Sequence, residues 1–122
     1  MKPITKNAQK LPDAIGAQAR QGDVLIERLA SAPEGETVPR DKRSGCVLAL
    51  GKATGHHHHV PHKGASMRRV KDADPLADRI LSLKEAAKVL HEEHFPIYLP
   101  SGDYRVEIQE EYEPEELRPV ID

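Results

Sequence analysis

The sequence has little of what builds a large hydrophobic core. It contains no tryptophan, one phenylalanine and three tyrosines, and hydrophobic residues make up 38% of its 122 positions. A core with so few aromatic side chains must be thin and aliphatic, and a chain this short buries only a modest fraction of its surface. We therefore expect one small domain in which a bound metal or a second subunit adds to the stability.

Cysteine is also scarce, because Cys46 is the only one in the chain. A single cysteine excludes an internal disulfide and a thiolate metal cluster. Its place in the apolar run Cys46–Leu50 favours a buried thiol over a reactive one. No stretch approaches the 18 apolar residues of a membrane span, and the first residues lack the apolar segment of a signal peptide. We expect a cytoplasmic protein with no membrane partner.

Neither positive nor negative charge is in large excess. The chain has 18 basic and 20 acidic residues and a formal net charge of −2. This balance gives no electrostatic footprint for nucleic acid, so we expect no nucleic-acid partner. A small-molecule partner and a homo-oligomer both stay open.

The order of apolar and turn-forming residues favours strands. Strands are predicted at residues 24–29, 46–53, 96–100 and 104–109, where apolar and β-branched residues lie between turn residues. A short Ala-rich helix is predicted at 13–20, a mobile surface loop at 63–78, and 84–94 fits either a helix or a strand. The expected fold is all-β, a small barrel or two-sheet sandwich with one minor helix. We divide the chain into a polar N-terminal segment (1–20), a single β domain (21–112) and an acidic C-terminal tail (113–122).

Histidine is the residue that stands out, with seven copies, all between positions 56 and 94. A purification tag is one explanation, but tags lie at a terminus and usually hold six consecutive histidines. A solvated polar turn is another. Spacing favours a metal site instead, because His56 and His58 share one face if the strand extends through them. His91 and His94 supply a second pair, close together on a helix or across a tight turn.

We predict metal ligands at His56, His58, His91 and His94. His57 and His59 then point to the other face, and His62 is a substitute ligand. All-histidine ligation favours zinc, with nickel, copper or iron as alternatives. The spacing leaves open whether four histidines close the coordination sphere or three leave one position vacant.

Glu92 and Glu93 lie between two predicted ligands, where a carboxylate can orient an imidazole or take a proton from metal-bound water. We name both as candidate catalytic residues, and solvent-facing acids are the alternative. Two function classes follow. One is a metalloenzyme that hydrates or hydrolyses a small substrate through zinc-bound water, as in carbonic-anhydrase-like chemistry. The other is a non-catalytic structural or accessory metal-binding protein.

Five motifs resemble those of a family of small uncharacterised bacterial and phage proteins. They are QGDV at residues 21–24, TGHxH at 54–58, HEEHxPI at 91–97, LPxGxYxV at 99–106 and QxEYxPE at 109–115. The resemblance implies an all-β fold with an extended segment at 88–91, and it supplies positions for a site but no activity. The histidines at 57 and 59 are additions to the family's G-H-x-H pattern. A broader likeness, of architecture alone, is to cupins.

Overall fold

The structure, a computed structural model, describes residues 9–50 and 56–109. Within these ranges the chain forms eleven strands and no helix. The strands are β1 (Gln9–Lys10), β2 (Gln18–Gln21), β3 (Val24–Leu29), β4 (Glu36–Thr37), β5 (Cys46–Leu50), β6 (His57–Val60), β7 (Ala65–Arg69), β8 (Arg79–Leu83), β9 (Ala87–Val89), β10 (Ile97–Leu99) and β11 (Gly102–Ile108). The predicted all-β fold is confirmed, and the predicted minor helix is wrong.

The larger sheet has six strands in the order β2-β3-β11-β8-β7-β4. All its pairs are antiparallel, and β11 at its centre pairs with β3 on one side and β8 on the other. The sheet ends at β2 and β4 and does not close on itself, so of the two predicted architectures the barrel is wrong and the sandwich fits. The predicted strand at 24–29 has the same bounds as β3.

A second layer combines the three-stranded sheet β1-β10-β9 with the β5–β6 hairpin. His59 and Leu90 join them through two backbone hydrogen bonds, one from His59 N–H to Leu90 O (3.0 Å) and one from Leu90 N–H to His59 O (2.8 Å). This bridge fixes the end of β6 beside the segment that follows β9. The two histidine-containing segments of the sequence therefore become neighbours.

The buried core is aliphatic, as the composition predicts. Most of its fully buried side chains are Val, Leu or Ile, and Tyr104 is the one buried aromatic among the described residues. Tyr104 donates a hydrogen bond to the Pro100 carbonyl, which satisfies its hydroxyl inside the core. Phe95 and Tyr98 lie at the surface, with exposed fractions of 42% and 38%.

The predicted helix at 13–20 is instead a turn followed by an edge strand. Gly16 adopts a positive φ of 87°, and the Gly16 and Ala17 backbone groups pair with Arg28. In β2 the exposed and buried residues alternate, with Ala19 and Gln21 facing inward. Pairing with β3 satisfies the backbone of this segment and overrides the helix propensity of its alanines.

The predicted loop at 63–78 is wrong in its first half, because β7 lies inside it. Ala65 and Met67 are buried while Ser66 between them is exposed, which is the period of a half-buried strand. In 84–94 the strand alternative is confirmed, since β9 and the Leu90 bridge lie there. Just before this segment, Ser82 lies in β8 and its hydroxyl donates to Asp103 Oδ1 at 2.7 Å.

Several predicted segments reach outside the described residues: the N-terminal segment at 1–8, the second predicted strand at 51–53, the TGHxH motif at 54–55, the end of the predicted β domain at 110–112, and the acidic tail at 113–122. Strand β1 and most of β2 lie within the predicted N-terminal segment 1–20. The described residues contain no helix of the length and hydropathy needed to cross a membrane.

Candidate metal centre

Alternation along β6 separates its histidines into two groups. His58 and Val60 are buried, whereas His57 and His59 stack on one another with ring centroids 4.3 Å apart. His56, which precedes β6, lies on the same side as His58, because both rings contact His91 at centroid distances of 5.7 and 4.3 Å. The hairpin with β5 fixes this orientation through its register.

His91 and His94 lie on the turn between β9 and β10. Their ring centroids are 4.6 Å apart, and His94 stacks nearly parallel to His58 at 6.2 Å. Imidazoles bound at about 2.0–2.1 Å to one tetrahedral ion have centroids roughly 5 Å apart. The four histidines predicted as ligands thus have neighbouring rings, and the turn between β9 and β10 brings the second pair to the first.

These histidines line a pocket of about 250 Å³ at the surface. Its lining residues are Asp23, Leu50, His56, His58, His91, Glu93 and His94. Among the described residues, the group whose potential ligand atoms all lie within 4.8 Å of one another is His56, His91 and Glu92, and it does not include His58, His94 or Asp23. The donor set is one of imidazoles and carboxylates, which suits zinc and neighbouring transition metals.

Gln21 fixes the orientation of His58 from inside the core. Its side chain is 2% exposed, and its Nε2 donates to the Val89 carbonyl at 3.1 Å and to the Phe95 carbonyl at 3.0 Å. Its Oε1 must therefore accept, and it lies 2.7 Å from His58 Nδ1. Nδ1 of His58 carries a proton, so the lone pair of the neutral ring is on Nε2, which faces the pocket.

Asp23 is the group that Nε2 of His58 faces. Its Oδ1 lies 3.3 Å from that nitrogen, and its side chain is 62% exposed. Two ligand atoms about 2.0 Å from a tetrahedral ion are about 3.3 Å apart, since the angle between them is about 109°. The spacing between the two atoms therefore matches that of neighbouring ligands on one zinc ion.

The electrostatics keep the buried rings neutral. The pKa of His58 is lowered to about 4, first by burial and then by the charge of His91. Burial, followed by the charge of His94, also lowers the pKa of His91. Neutral imidazoles offer lone pairs at physiological pH, which is the form that binds a metal.

His91 is less prepared for binding than His58. The backbone N–H of Glu93 donates to His91 Nδ1 at 3.0 Å, so in the neutral ring the proton is on Nε2. This ring must give up that hydrogen bond before Nδ1 can bind an ion. His58, by contrast, already presents its free nitrogen to the pocket.

The two adjacent glutamates differ in their surroundings. Glu92 accepts from the His57 backbone N–H at 2.9 Å and from His57 Nδ1 at 2.9 Å, so both its oxygens bind the strand. The hydrogen bond from that backbone N–H is the main cause that lowers the pKa of Glu92 to about 2. Glu93 instead lines the pocket, with its Oε2 3.7 Å from His56 Nδ1.

The remaining histidines lie away from the pocket. His57 Nε2 accepts from the Ser44 hydroxyl at 2.8 Å, which with Glu92 completes its hydrogen bonds. His62 accepts from the Gly64 backbone N–H and lies 3.3 Å from Glu85. The substitute ligand predicted at His62 therefore has its own partners elsewhere.

The sequence analysis assigned no role in the site to Gln21, Gly22 or Asp23. Gly22 has a φ of 60°, and a Cβ there would be 2.8 Å from His94 Nε2 and 3.4 Å from His58 Cε1. The turn therefore needs a glycine both for its backbone angle and for the space that His94 occupies. The available signal was the motif QGDV at 21–24, which is one of the five motifs that carry the family resemblance.

Comparison with known proteins identifies a family but no activity. No curated protein and no solved structure matches the chain. A family model described as a domain of unknown function, DUF8820, matches residues 20–109, which include Gln21, Asp23 and all four pocket histidines. Since this match covers well over half of the sequence, the chain belongs to the DUF8820 family.

Proposed function

We propose that this protein binds one transition-metal ion, zinc before nickel, copper or iron, in the pocket of His56, His58, His91 and His94. Asp23 is a further ligand that the sequence did not suggest. The observation that carries the proposal is the pair of lone-pair atoms, His58 Nε2 and Asp23 Oδ1, which face one another at 3.3 Å. Two such atoms repel each other unless a proton or a cation lies between them, and the burial of His58 disfavours the proton.

The support from Gln21 strengthens this proposal. Metal-bound histidines almost always donate their second ring N–H to a fixed acceptor, which sets the tautomer and the ring orientation. Gln21 Oε1 is such an acceptor for His58, and two backbone carbonyls hold its amide in place. The buried Gln21 side chain thus keeps Nε2 of His58 unprotonated and directed into the pocket.

Metal content of paired variants tests the proposal. The full chain, purified without an immobilised-metal column and supplemented with zinc, is expected to hold about one equivalent, because the donors line one pocket. His56→Ala/His58→Ala should lose it, whereas His57→Ala/His59→Ala removes as many histidines from the same run and should keep it. Equal loss in both variants would mean that the metal binds the histidine run as it binds a purification tag.

A hydrolytic or hydrating enzyme is the second candidate, favoured by the position of Glu93 on the pocket wall. Zinc lowers the pKa of bound water to about 7, and an adjacent carboxylate can accept its proton. Glu93 takes this role in preference to Glu92, whose oxygens both bind His57. A non-catalytic role remains the outcome if protein atoms fill every coordination position.

Activity of the zinc-loaded chain separates the two candidates. Carbon dioxide hydration and ester hydrolysis should be measured for the wild type, Glu93→Gln and the matched control Glu92→Gln. A metalloenzyme of this kind loses activity in Glu93→Gln while it retains zinc. No activity in the loaded wild type would favour the structural or accessory role, and loss in Glu92→Gln alone would assign the proton-accepting role to Glu92 in place of Glu93.

We also propose a bacterial or phage origin and a cytoplasmic location. The motif resemblance supports the first. The second draws on Cys46, a buried free thiol that fits a reducing compartment. Recovery of the tagged native protein in the soluble cytoplasmic fraction of its host would test the location, and recovery in the periplasmic fraction would contradict it.

A further inference from the structure

A second, larger cavity is separate from the histidine pocket. It has a volume of about 810 Å³ and shares no lining residue with the metal centre. Leu90 lines this cavity, and the next residue, His91, lines the metal pocket. The two sites therefore lie next to each other along the chain but are chemically distinct.

Apolar side chains form most of the cavity wall. They come from the ends of β1, β9 and β10 and from the segment after β6, and they include Leu11, Pro12, Pro61, Ala87, Leu90 and Pro100. Ligand pockets have volumes of about 300–1,000 Å³ and are mostly apolar with a few polar groups that orient the ligand. Size and lining both fit a small organic molecule.

The charged side chains that line the cavity carry an excess of positive charge. Asp13 pairs with Arg28 at 2.9 Å, so its charge is already balanced, and Nε2 of His62 lies 3.3 Å from Glu85. Lys10 and Lys88 form no ion pair with any of the described residues. The charge left at this cavity is therefore positive.

Strand register places these two lysines on either side of one tyrosine. Lys10 is paired with Tyr98 across β1 and β10, and Tyr98 is paired with Lys88 across β10 and β9. The Lys88 ammonium lies 5.4 Å from the centre of the Tyr98 ring. Neighbouring strands are about 4.8 Å apart, so the two lysine Cα atoms are roughly 10 Å apart and one anion can accept from both side chains.

From these features we infer that the cavity binds a small aliphatic carboxylate, with its chain against the apolar wall and its carboxylate between Lys10 and Lys88. The hydrocarbon supplies most of the affinity, and each buried methylene strengthens binding about fourfold. The lysines select for the anion. This site needs no metal, so the inference does not depend on the proposed function.

Decanoate, octanoate and hexanoate are the probes, titrated into the full chain by calorimetry below the concentration at which they form micelles. The dissociation constant should fall about fourfold per added methylene. Decylamine, with the same chain and the opposite charge, should bind far more weakly. The same affinity is expected with a chelator present.

Two pairs of variants locate the binding. Lys10→Met/Lys88→Met should weaken decanoate binding about tenfold or more, because both charge-assisted contacts are lost. Lys71→Met, an exposed lysine outside the cavity, should leave it unchanged. Ala86→Trp, at an exposed position that lines the cavity, should block binding, whereas Ala30→Trp at an exposed position elsewhere should not.

Several results would overturn the inference. They are absence of saturable decanoate binding, equal affinity for decylamine, or no difference between the lysine double variant and Lys71→Met. Binding seen only with micelles or lipid vesicles would also overturn it, because the occupant would then be a lipid surface. If the chain fails to hold zinc but binds decanoate as described, the metal proposal fails and this one stands.

Discussion

Gln21 joins the core to the pocket, so its replacement gives the most informative perturbation. Gln21→Met keeps the length of the side chain but removes hydrogen bonds of 2.7, 3.0 and 3.1 Å to His58, Phe95 and Val89. Val89 is fully buried and His58 is 4% exposed, so the Val89 carbonyl and the His58 Nδ1–H lose their partner away from water. Phe95 is exposed, and water can replace the bond to its carbonyl.

The magnitude follows from these burials. An unsatisfied buried polar group costs about 1–3 kcal/mol, so two of them lower the free energy of unfolding by about 2–6 kcal/mol. The free energy of unfolding of a small domain is about 5–15 kcal/mol in total, so we expect the variant to fold but to be less stable. Gln18→Met is the matched control, because Gln18 is on the same strand with its side chain exposed. The free energy of unfolding of Gln18→Met should differ from that of the wild type by no more than about 0.5 kcal/mol.

Urea unfolding with a chelator present measures the stability without a contribution from metal. Long-range proton–nitrogen NMR spectra then report the His58 tautomer in the metal-free protein. The wild type should show the proton on Nδ1, and Gln21→Met should show a mixture of both tautomers. Equal stability of the two variants, or a wild-type His58 with its proton on Nε2, would refute the role given to Gln21.

Three further predictions concern the pocket and the metal that we propose it binds. Gly22→Ala should weaken zinc binding in a calorimetric titration, because its Cβ would displace His94 from 2.8 Å away and its φ of 60° costs a non-glycine residue about 1–2 kcal/mol; unchanged affinity would contradict this. Zinc at a thousandfold excess over its Kd should add about 4 kcal/mol and raise the melting temperature by several degrees or more, whereas identical melting with and without chelator at pH 8 would exclude a structural role. Without metal, the pKa of His58 is about 4 in the folded protein and 6.5 in the unfolded chain. As the pH falls, the unfolded chain therefore takes up the His58 proton before the folded protein does. The free energy of unfolding should therefore fall by about 3 kcal/mol between pH 6.5 and 4, and a His58→Gln variant with the same slope would show that another group is responsible.

Much of the strand content could be predicted from the sequence, because apolar alternation and turn residues mark strands locally. The segments that became β3 and β11 carry this pattern clearly. The helix predicted at 13–20 failed because its alanines pair with β3, a contact that propensity does not encode. The loop predicted at 63–78 failed because the alternation of Ala65 and Met67 lies among charged residues that hide it.

The candidate site could also be predicted only where it depends on local spacing in the sequence. Spacing along β6 indicated that His56 and His58 share a face, and the turn between β9 and β10 places His91 and His94 beside them. Gln21 and His58 are 37 positions apart, and their contact depends on how the end of β2 packs against the second layer. Asp23 reaches the pocket through the same packing. Long-range contacts of this kind leave no periodic trace in a single sequence.

The most direct test of the metal centre is an anomalous difference map at the zinc absorption edge, from crystals of the full chain loaded with zinc. We expect one strong peak within bonding distance of His58 Nε2 and Asp23, with His94 and at least one of His56 and His91 beside it. A peak at the stacked rings of His57 and His59, or no ordered peak in zinc-loaded crystals, would contradict the account.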